Sequence, residues 1–272
     1  MITDETCISK TQIMQNGQKH AMLREERHYY ILERLRSEGR VQTLELSRAL
    51  QVSEDTLRRD LRDLAAAGKL QRVHGGALPR SPITGSFAER EAQAVQPKQA
   101  LAAVTARLFQ DGQVILIDGG TTNLEVARSL PRTLKATIVT SSPAIALALL
   151  PYPQVEVVLL GGRLSKGTET AVGIATAEAL HALRADVCLL GVCSLDVEIG
   201  VSVGDGEEAL IKRLMIAQSA EVIAVVVADK LGTAMPYVVA PARELTHLVT
   251  ERFVPDSVTA RYAALGITVI RG

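Results

Sequence analysis

Ser53-Glu54-Asp55-Thr56-Leu57-Arg58-Arg59-Asp60-Leu61-Arg62-Asp63-Leu64 is the stretch on which the reading of this 272-residue chain turns. Its serine stands before two acids, so the hydroxyl can accept from a free backbone N–H while the acids complement the positive end of a helix. Leu57, Leu61 and Leu64 recur at i, i+4 and i+7 as a buried stripe, and Gly68 stops the helix. At about 100° per residue, Asp55, Arg58, Arg59 and Arg62 then fall on the outward arc. Three arginines within five residues near a helix N-terminus have the geometry of a recognition helix in a major groove. The guanidinium fork suits that place because it bonds bidentately to guanine edges and to phosphates. Ser53 and Thr56 add hydroxyls for the DNA backbone. A single charged helix reads equally well as a solvated surface with Asp55 and Arg59 paired at i, i+4.

The neighbouring segments break that tie. Upstream, order is expected from about Glu25, with Ile31, Leu32 and Leu35 at helical spacing and Gly39 as the stop. A second short helix is predicted from about Thr43 to Leu50, with Leu46, Ala49 and Leu50 on one face, followed by a tight turn at Gln51–Val52. Downstream, Lys69 to Ala77 forms a short β wing with Gly75–Gly76 at its far end. Arg72 and His74 lie on that wing, within reach of flanking phosphates or the minor groove, although His74 serves equally as a packing residue. Residues 24–77 therefore read as a winged helix-turn-helix. Residues 78–88, rich in proline, serine and threonine, read as a linker, and 89–272 as a second domain. Residues 1–23 lack apolar periodicity and read as a disordered tail, with Met22 as an alternative start.

In that second domain strands and helices alternate. Strands are predicted at 114–118, 137–140, 155–160, 187–190, 222–228, 247–250 and 267–270, and helices at 124–130, 143–150, 175–183 and 207–219. The strands are continuous Val/Ile/Leu runs, as expected where helices cover both faces of a mostly parallel sheet, so the fold class is α/β. Four segments at predicted carboxyl ends of strands carry ligand chemistry, where open α/β sheets bind their ligands. Asp118-Gly119-Gly120-Thr121-Thr122-Asn123 offers flexible backbone, N–H groups and hydroxyls at a helix start, an anion site best suited to phosphate. Ser141–Ser142 repeats that chemistry, Gly161-Gly162-Arg163 follows the third strand, and Lys230 follows the strand at Val222. Each alone reads as a turn, a helix cap or a surface charge; together they describe a pocket for a phosphorylated, hydroxyl-rich molecule.

Ser53-x-x-Thr56-Leu57-Arg58-Arg59-Asp60-Leu61, followed by Gly68-x-Leu70-x-Arg72-x-His74-Gly75-Gly76-Ala77, resembles the signature of the DeoR family of bacterial transcriptional regulators. The resemblance runs from Arg24 to the end of the chain. It implies a regulator, usually a repressor, of a carbohydrate or related catabolic operon, with an operator DNA and a phosphorylated sugar as partners. It also implies a sensor domain similar to ribose-5-phosphate isomerase, in which Asp118 to Thr122 hold phosphate or sugar hydroxyls. Ser141, Ser142, Gly161, Gly162 and Lys230 would line the same pocket. Lys212 reads either as a further cation there or as the exposed i, i+4 partner of Glu208.

That likeness raises the alternative of a sugar-phosphate isomerase with an appended DNA-binding domain. Isomerisation needs a carboxylate to move a proton between adjacent carbons. The related isomerases carry an acidic loop after the central strand, whereas here Gly191-Val192-Cys193-Ser194-Leu195-Asp196 has Val192 and Cys193 where acids are wanted. Asp196 reads as a turn cap, so binding rather than turnover is expected, with no cofactor.

Bulk composition narrows the rest. The segment 24–80 holds 12 Lys and Arg against 9 Asp and Glu, and 89–272 holds 16 against 19, a weak bias toward nucleic acid at the front. Aromatic residues at 3% disfavour stacking on single strands. No apolar run approaches the roughly 20 residues of a membrane span. Cys7, Cys188 and Cys193 lack paired spacing and read as reduced thiols of a cytoplasmic protein. The five histidines show no ligand spacing, so no metal is expected. One recognition helix covers one half-site, so a homo-oligomer, dimer or tetramer, is expected.

Overall fold

The computed structural model describes residues 22–272, so the expected tail lies outside the described residues but for Met22 and Leu23. The first unit packs α1 (Arg24–Glu38), α2 (Thr43–Leu50) and α3 (Glu54–Ala66) around Ile31, Leu35, Leu46, Leu57, Leu61 and Leu64. Gly39 closes α1 in the left-handed conformation, and Gln51 does the same after α2 at φ 53°. Ala49 is exposed; the buried face of α2 is carried by Thr43 and Leu46. A three-stranded sheet completes the unit, with β1 (Val41–Gln42), β2 (Gln71–Val73) and β3 (Gly76–Leu78) in the order β1-β3-β2. Gly76 is required there, since a Cβ would sit 2.0 Å from the Val41 carbonyl oxygen. Leu78 is buried in the wing strand, so the connection begins only at Pro79.

One carboxylate is buried among these helices. Asp60 accepts from Arg27 Nε at 2.8 Å and Nη2 at 3.1 Å, and lies 3.2 Å from His28 Nε2. Arg24 holds the adjacent Asp63 at 2.6 Å, so arginines already occupy the carboxylates that converge with His28. These pairs fasten α1 to the back of α3 and fix how that helix is presented.

The second unit is built on seven parallel strands: β4 (Val114–Ile117), β5 (Ala136–Thr140), β6 (Val155–Leu159), β9 (Ala185–Leu190), β12 (Ser219–Val225), β14 (His247–Thr250) and β15 (Thr268–Arg271). Their spatial order is β15-β14-β12-β9-β4-β5-β6. Ile115, Ile117, Val187 and Leu189 face one core, with Phe87 and helices α5 (Val95–Thr105), α6 (Thr121–Arg128) and α7 (Pro143–Leu149). Leu116, Cys188 and Leu190 face the other, with α8 (Ile174–His181), α9 (Gly206–Ala217) and α10 (Asp256–Ala263). Two small additions were not expected: a hairpin of β7 (Arg163–Ser165) and β8 (Thr170–Val172), and a sheet of β10 (Ser194–Asp196), β11 (Gly200–Val203) and β13 (Tyr237–Ala240). Phe87 is not linker but the buried first residue of α4 (Phe87–Ala92), which Ser86 and Glu89 close with a capping box. No helix among the described residues is long and apolar enough to cross a membrane.

Asp60→Ala strips a buried partner from Arg27 and is expected to destabilise the helical unit by about 3 kcal/mol. Urea unfolding followed by helical circular dichroism should show an early transition absent from the wild type.

Candidate nucleic-acid interface and effector cleft

The outward face of α3 is set by its cap. Ser53 Oγ accepts from the Thr56 N–H at 3.2 Å and lies 2.9 Å from the Thr56 hydroxyl, so both hydroxyls belong to the helix start. Arg58 donates to Asp55 and to Glu54, both at 3.0 Å. The basic partner of Asp55 is thus Arg58 and not Arg59. Arg59, Arg62, Arg72 and His74 are exposed and have no acidic partner among the described residues. Gly75, at φ 76°, turns the wing between Arg72 and the β3 strand.

In the sensor sheet, the chain leaves β4 toward β5 and β6 on one side, then returns to β9 on the other. The crevice between β4 and β9 is therefore the topological switch point, where doubly wound sheets open a ligand site. Asp118 ends β4 and Gly191 ends β9. Asp118 Oδ1 accepts from the Gly119 N–H and Oδ2 from the Gly191 N–H, both at 2.8 Å. Lys212, reaching in from α9, donates to the same Oδ2 and to the Gly191 carbonyl at 2.9 Å, and stands 3.3 Å from Glu208. Burial by itself lowers the affinity of Lys212 for its proton, but the charges of Asp118 and Glu208 outweigh it and raise the pKa. A Cβ on Gly191 would fall 2.3 Å from the Gly119 carbonyl oxygen, so this closure demands glycine.

Above that floor the cleft is lined by residues 119–123, by Lys98 of α5, Arg90 of α4, Lys230, Cys193, Glu208, Thr168 and Thr170. Lys98 donates to the Arg90 carbonyl and Lys230 to the Val192 carbonyl at 3.0 Å. Neither has a carboxylate partner among the described residues. Burial, then repulsion from Lys230, holds Lys98 below the ordinary lysine pKa, and burial does the same to Lys230. Burial raises Glu208, and pushes the Cys193 thiol up to about 11. Helix α6 starts at Gly120, whose φ of 124° favours glycine, and no side chain caps it. Its first N–H groups have no acceptor within the helix. The cleft thus presents cations and free amide donors to whatever enters.

Asp118, Gly119, Gly120, Thr121, Thr122, Lys212 and Lys230 are brought together as expected from the sequence. Ser141 and Ser142 do not line the cleft; they are buried behind Gly119, and their hydroxyls have no partner among the described residues. Gly161, Gly162 and Arg163 also lie elsewhere, because β6 is the sheet edge, two strands from the crevice, and Arg163 pairs with Glu207. Asp196 accepts from the N–H groups of Glu198 and Ile199, which makes it the turn cap it was read as. Lys98, Arg90 and Glu208 were missed. The signal for Lys98 was present, since it shares the buried i, i+3, i+4, i+7 face of α5 with Leu101, Ala102 and Thr105.

A DeoR-like helix-turn-helix domain model matches residues 27–82, and the DeoR C terminal sensor domain model matches residues 93–252. The chain belongs to the DeoR family. This DeoR-family regulator is 32% identical over 253 residues to the HTH-type transcriptional regulator GlpR of Haloferax volcanii, covering 92% of this chain and 99% of that one. It is 32% identical to the glycerol-3-phosphate regulon repressor of Escherichia coli K12, covering 78% and 84%. Among solved structures it is similar to ribose 5-phosphate isomerase A from Methanocaldococcus jannaschii, at 17% identity and a TM-score of 0.37 over 49% of this chain and 53% of that one.

The lowered lysines have a consequence for stability. A base whose folded-state pKa lies below its unfolded value of about 10.4 costs stability at low pH, and the cost fades as pH rises through the folded value toward the unfolded one. Stability should therefore climb as pH rises through the depressed pKa values of Lys98 and Lys230. In Lys98→Met that climb should be shallower and the melting temperature near neutral pH higher. Thermal unfolding across that pH range measures both.

Proposed function

We propose that this regulator grips operator DNA with α3 and the wing of at least two copies, and that a phosphorylated sugar or polyol in the β4/β9 cleft switches it. The observation that carries the effector is the pairing of buried Lys98 and half-buried Lys230, neither with a carboxylate partner among the described residues, with the uncapped start of α6. Such an arrangement is costly when empty and favourable around an anion. Residues 119–122, Glu208 and Thr170 supply donors and acceptors for hydroxyls. Glycerol 3-phosphate is a first candidate, because it appears in the name of one of the relatives.

On the DNA side, Arg59, Arg62 and Arg72 are exposed cations without acidic partners among the described residues, while Arg58 would have to leave Glu54 and Asp55 to reach a phosphate. Asp55 then acts chiefly by orienting Arg58, and Ser53 and Thr56 by shaping the helix start. His74 stands at the wing tip, where a contact depends on groove width. Coupling between the sites needs no special device beyond unequal effector affinity for two arrangements of the paired heads, typically ~1–3 kcal/mol.

Arg59→Ala and Arg62→Ala are each expected to weaken binding to a selected operator by about 1–3 kcal/mol, roughly 5- to 150-fold, and to leave effector affinity unchanged. Lys230→Ala and Thr121→Ala should do the reverse. Mobility shift with calorimetry, using a panel of phosphorylated polyols and sugars and their unphosphorylated forms, separates the two. An intact effector response in Lys230→Ala would overturn the cleft assignment, and turnover of ribose 5-phosphate would favour the isomerase alternative.

A further inference from the structure

The segment joining the two units is built into the cleft. Residues 79–86 have almost no regular structure, yet their first half is fastened to the sensor at two points. Ser81 is buried, and its hydroxyl donates to the Cys193 carbonyl at 2.7 Å. The Ala234 N–H donates to the Pro79 carbonyl at 3.2 Å, and Arg80 forms a parallel bridge with Ala234. Next along, Pro82 and Ile83 line the cleft together with Lys98 and Lys230.

Both fastenings lead back to Lys230. Its ammonium holds the Val192 carbonyl, one peptide before the Cys193 carbonyl that receives Ser81. On the other route, the Thr233 hydroxyl lies 2.8 Å from the Lys230 carbonyl oxygen and 2.9 Å from the Ser194 hydroxyl. Ala234, its neighbour, is the residue that holds Pro79. The Lys230 ammonium therefore positions the Ser81 anchor, and the main-chain carbonyl of the same residue positions the turn that holds Pro79.

The geometry points to residues 79–83 as a strap that forms one wall of the effector site, so that seating of the strap and occupancy of the cleft are a single coupled equilibrium. This inference rests on the cleft being the effector site. An anion drawn to Lys98 and Lys230 pulls the Lys230 ammonium away from the Val192 carbonyl, and with it the peptide that carries the Ser81 acceptor. Bulk or apolar surface on the ligand meets Pro82 and Ile83 directly. Any shift of Pro79 passes to Leu78, the last residue of the wing strand β3, through one peptide bond. By reciprocity, whatever loosens the strap must also change ligand affinity.

Hydrogen–deuterium exchange on the full chain tests this without a ligand. The reporters are the Ile83 N–H, which donates to Ser81 Oγ at 3.4 Å, and the Ala234 N–H. In Lys230→Met the Ile83 N–H should exchange about fivefold faster, the loss of one net hydrogen bond, while the α1–α3 core exchanges as in the wild type. Ser81→Ala should speed Ala234 alike and shift the midpoint for the probes. Unchanged Ile83 exchange in Lys230→Met together with unchanged Ala234 exchange in Ser81→Ala would overturn the strap. With glycerol 3-phosphate and inorganic phosphate as probes, residues 79–83 and 191–194 should respond with one midpoint. A response confined to 191–194 would sink the strap and leave the effector site standing. Failure of both probes to bind would count against the effector reading, while the variant comparison still decides the strap.

Discussion

The buried pair of Asp118 and Lys212 is the constraint on which the sensor depends. It lies at the point where the sheet reverses direction, and it closes the seam between the strand group β4-β5-β6 and the group that starts at β9. A carboxylate offers about four acceptor positions. Three of those on Asp118 are taken by the Gly119 and Gly191 amides and by Lys212. Such satisfaction is what makes a buried charge tolerable, since the desolvation of each ion costs several kcal/mol. It also commits the Lys212 ammonium to Asp118, Glu208 and the Gly191 carbonyl. The most conspicuous charges of the cleft are thereby its masonry.

The charges left over are the informative ones. Lys98 and Lys230 are held by main-chain carbonyls alone, and Glu208 sits against Lys212 with its proton bound more tightly than usual. A buried lysine and a half-buried one lining the same cleft without carboxylate partners are a local conflict of the kind common at functional sites. Asp118 and Glu208 both face Lys212, and Asp196 serves a turn outside the cleft.

The sequence made the reading head legible because each of its signals is local. Ser53 caps, the leucines repeat, and the glycines allow the wing to turn. Asp60 escaped because its partners, Arg27 and His28, lie more than thirty residues away. Two of the four strand-end motifs, those after β4 and β12, supply residues that line the cleft beside the switch point. Gly161 to Arg163 lie apart for a topological reason: all parallel strands end on one side of a sheet, but β6 is its far edge. Arg90 and Lys98 sit on helices that carry no strand-end motif, and only the lone lysine on an apolar helical face gave notice of them.

The connection between the units shows the limit of composition most clearly. Proline, serine and threonine in residues 79–86 are as compatible with a flexible tether as with a rigid one. Proline lacks an N–H donor, but its carbonyl is free to accept, and Pro79 uses it for Ala234. Serine turns a polar tether into an anchored one as soon as its hydroxyl is buried against an acceptor, as Ser81 is against Cys193. A tether would let the reading head sample many positions and leave DNA affinity indifferent to the sensor. An anchored segment confines the head to positions that the sensor's own loops dictate, and those loops are the ones that Lys230 holds. On the proposed reading of the cleft, regulation by a small anion requires no long-range pathway, because the connection between ligand and reading head is only a few hydrogen bonds long.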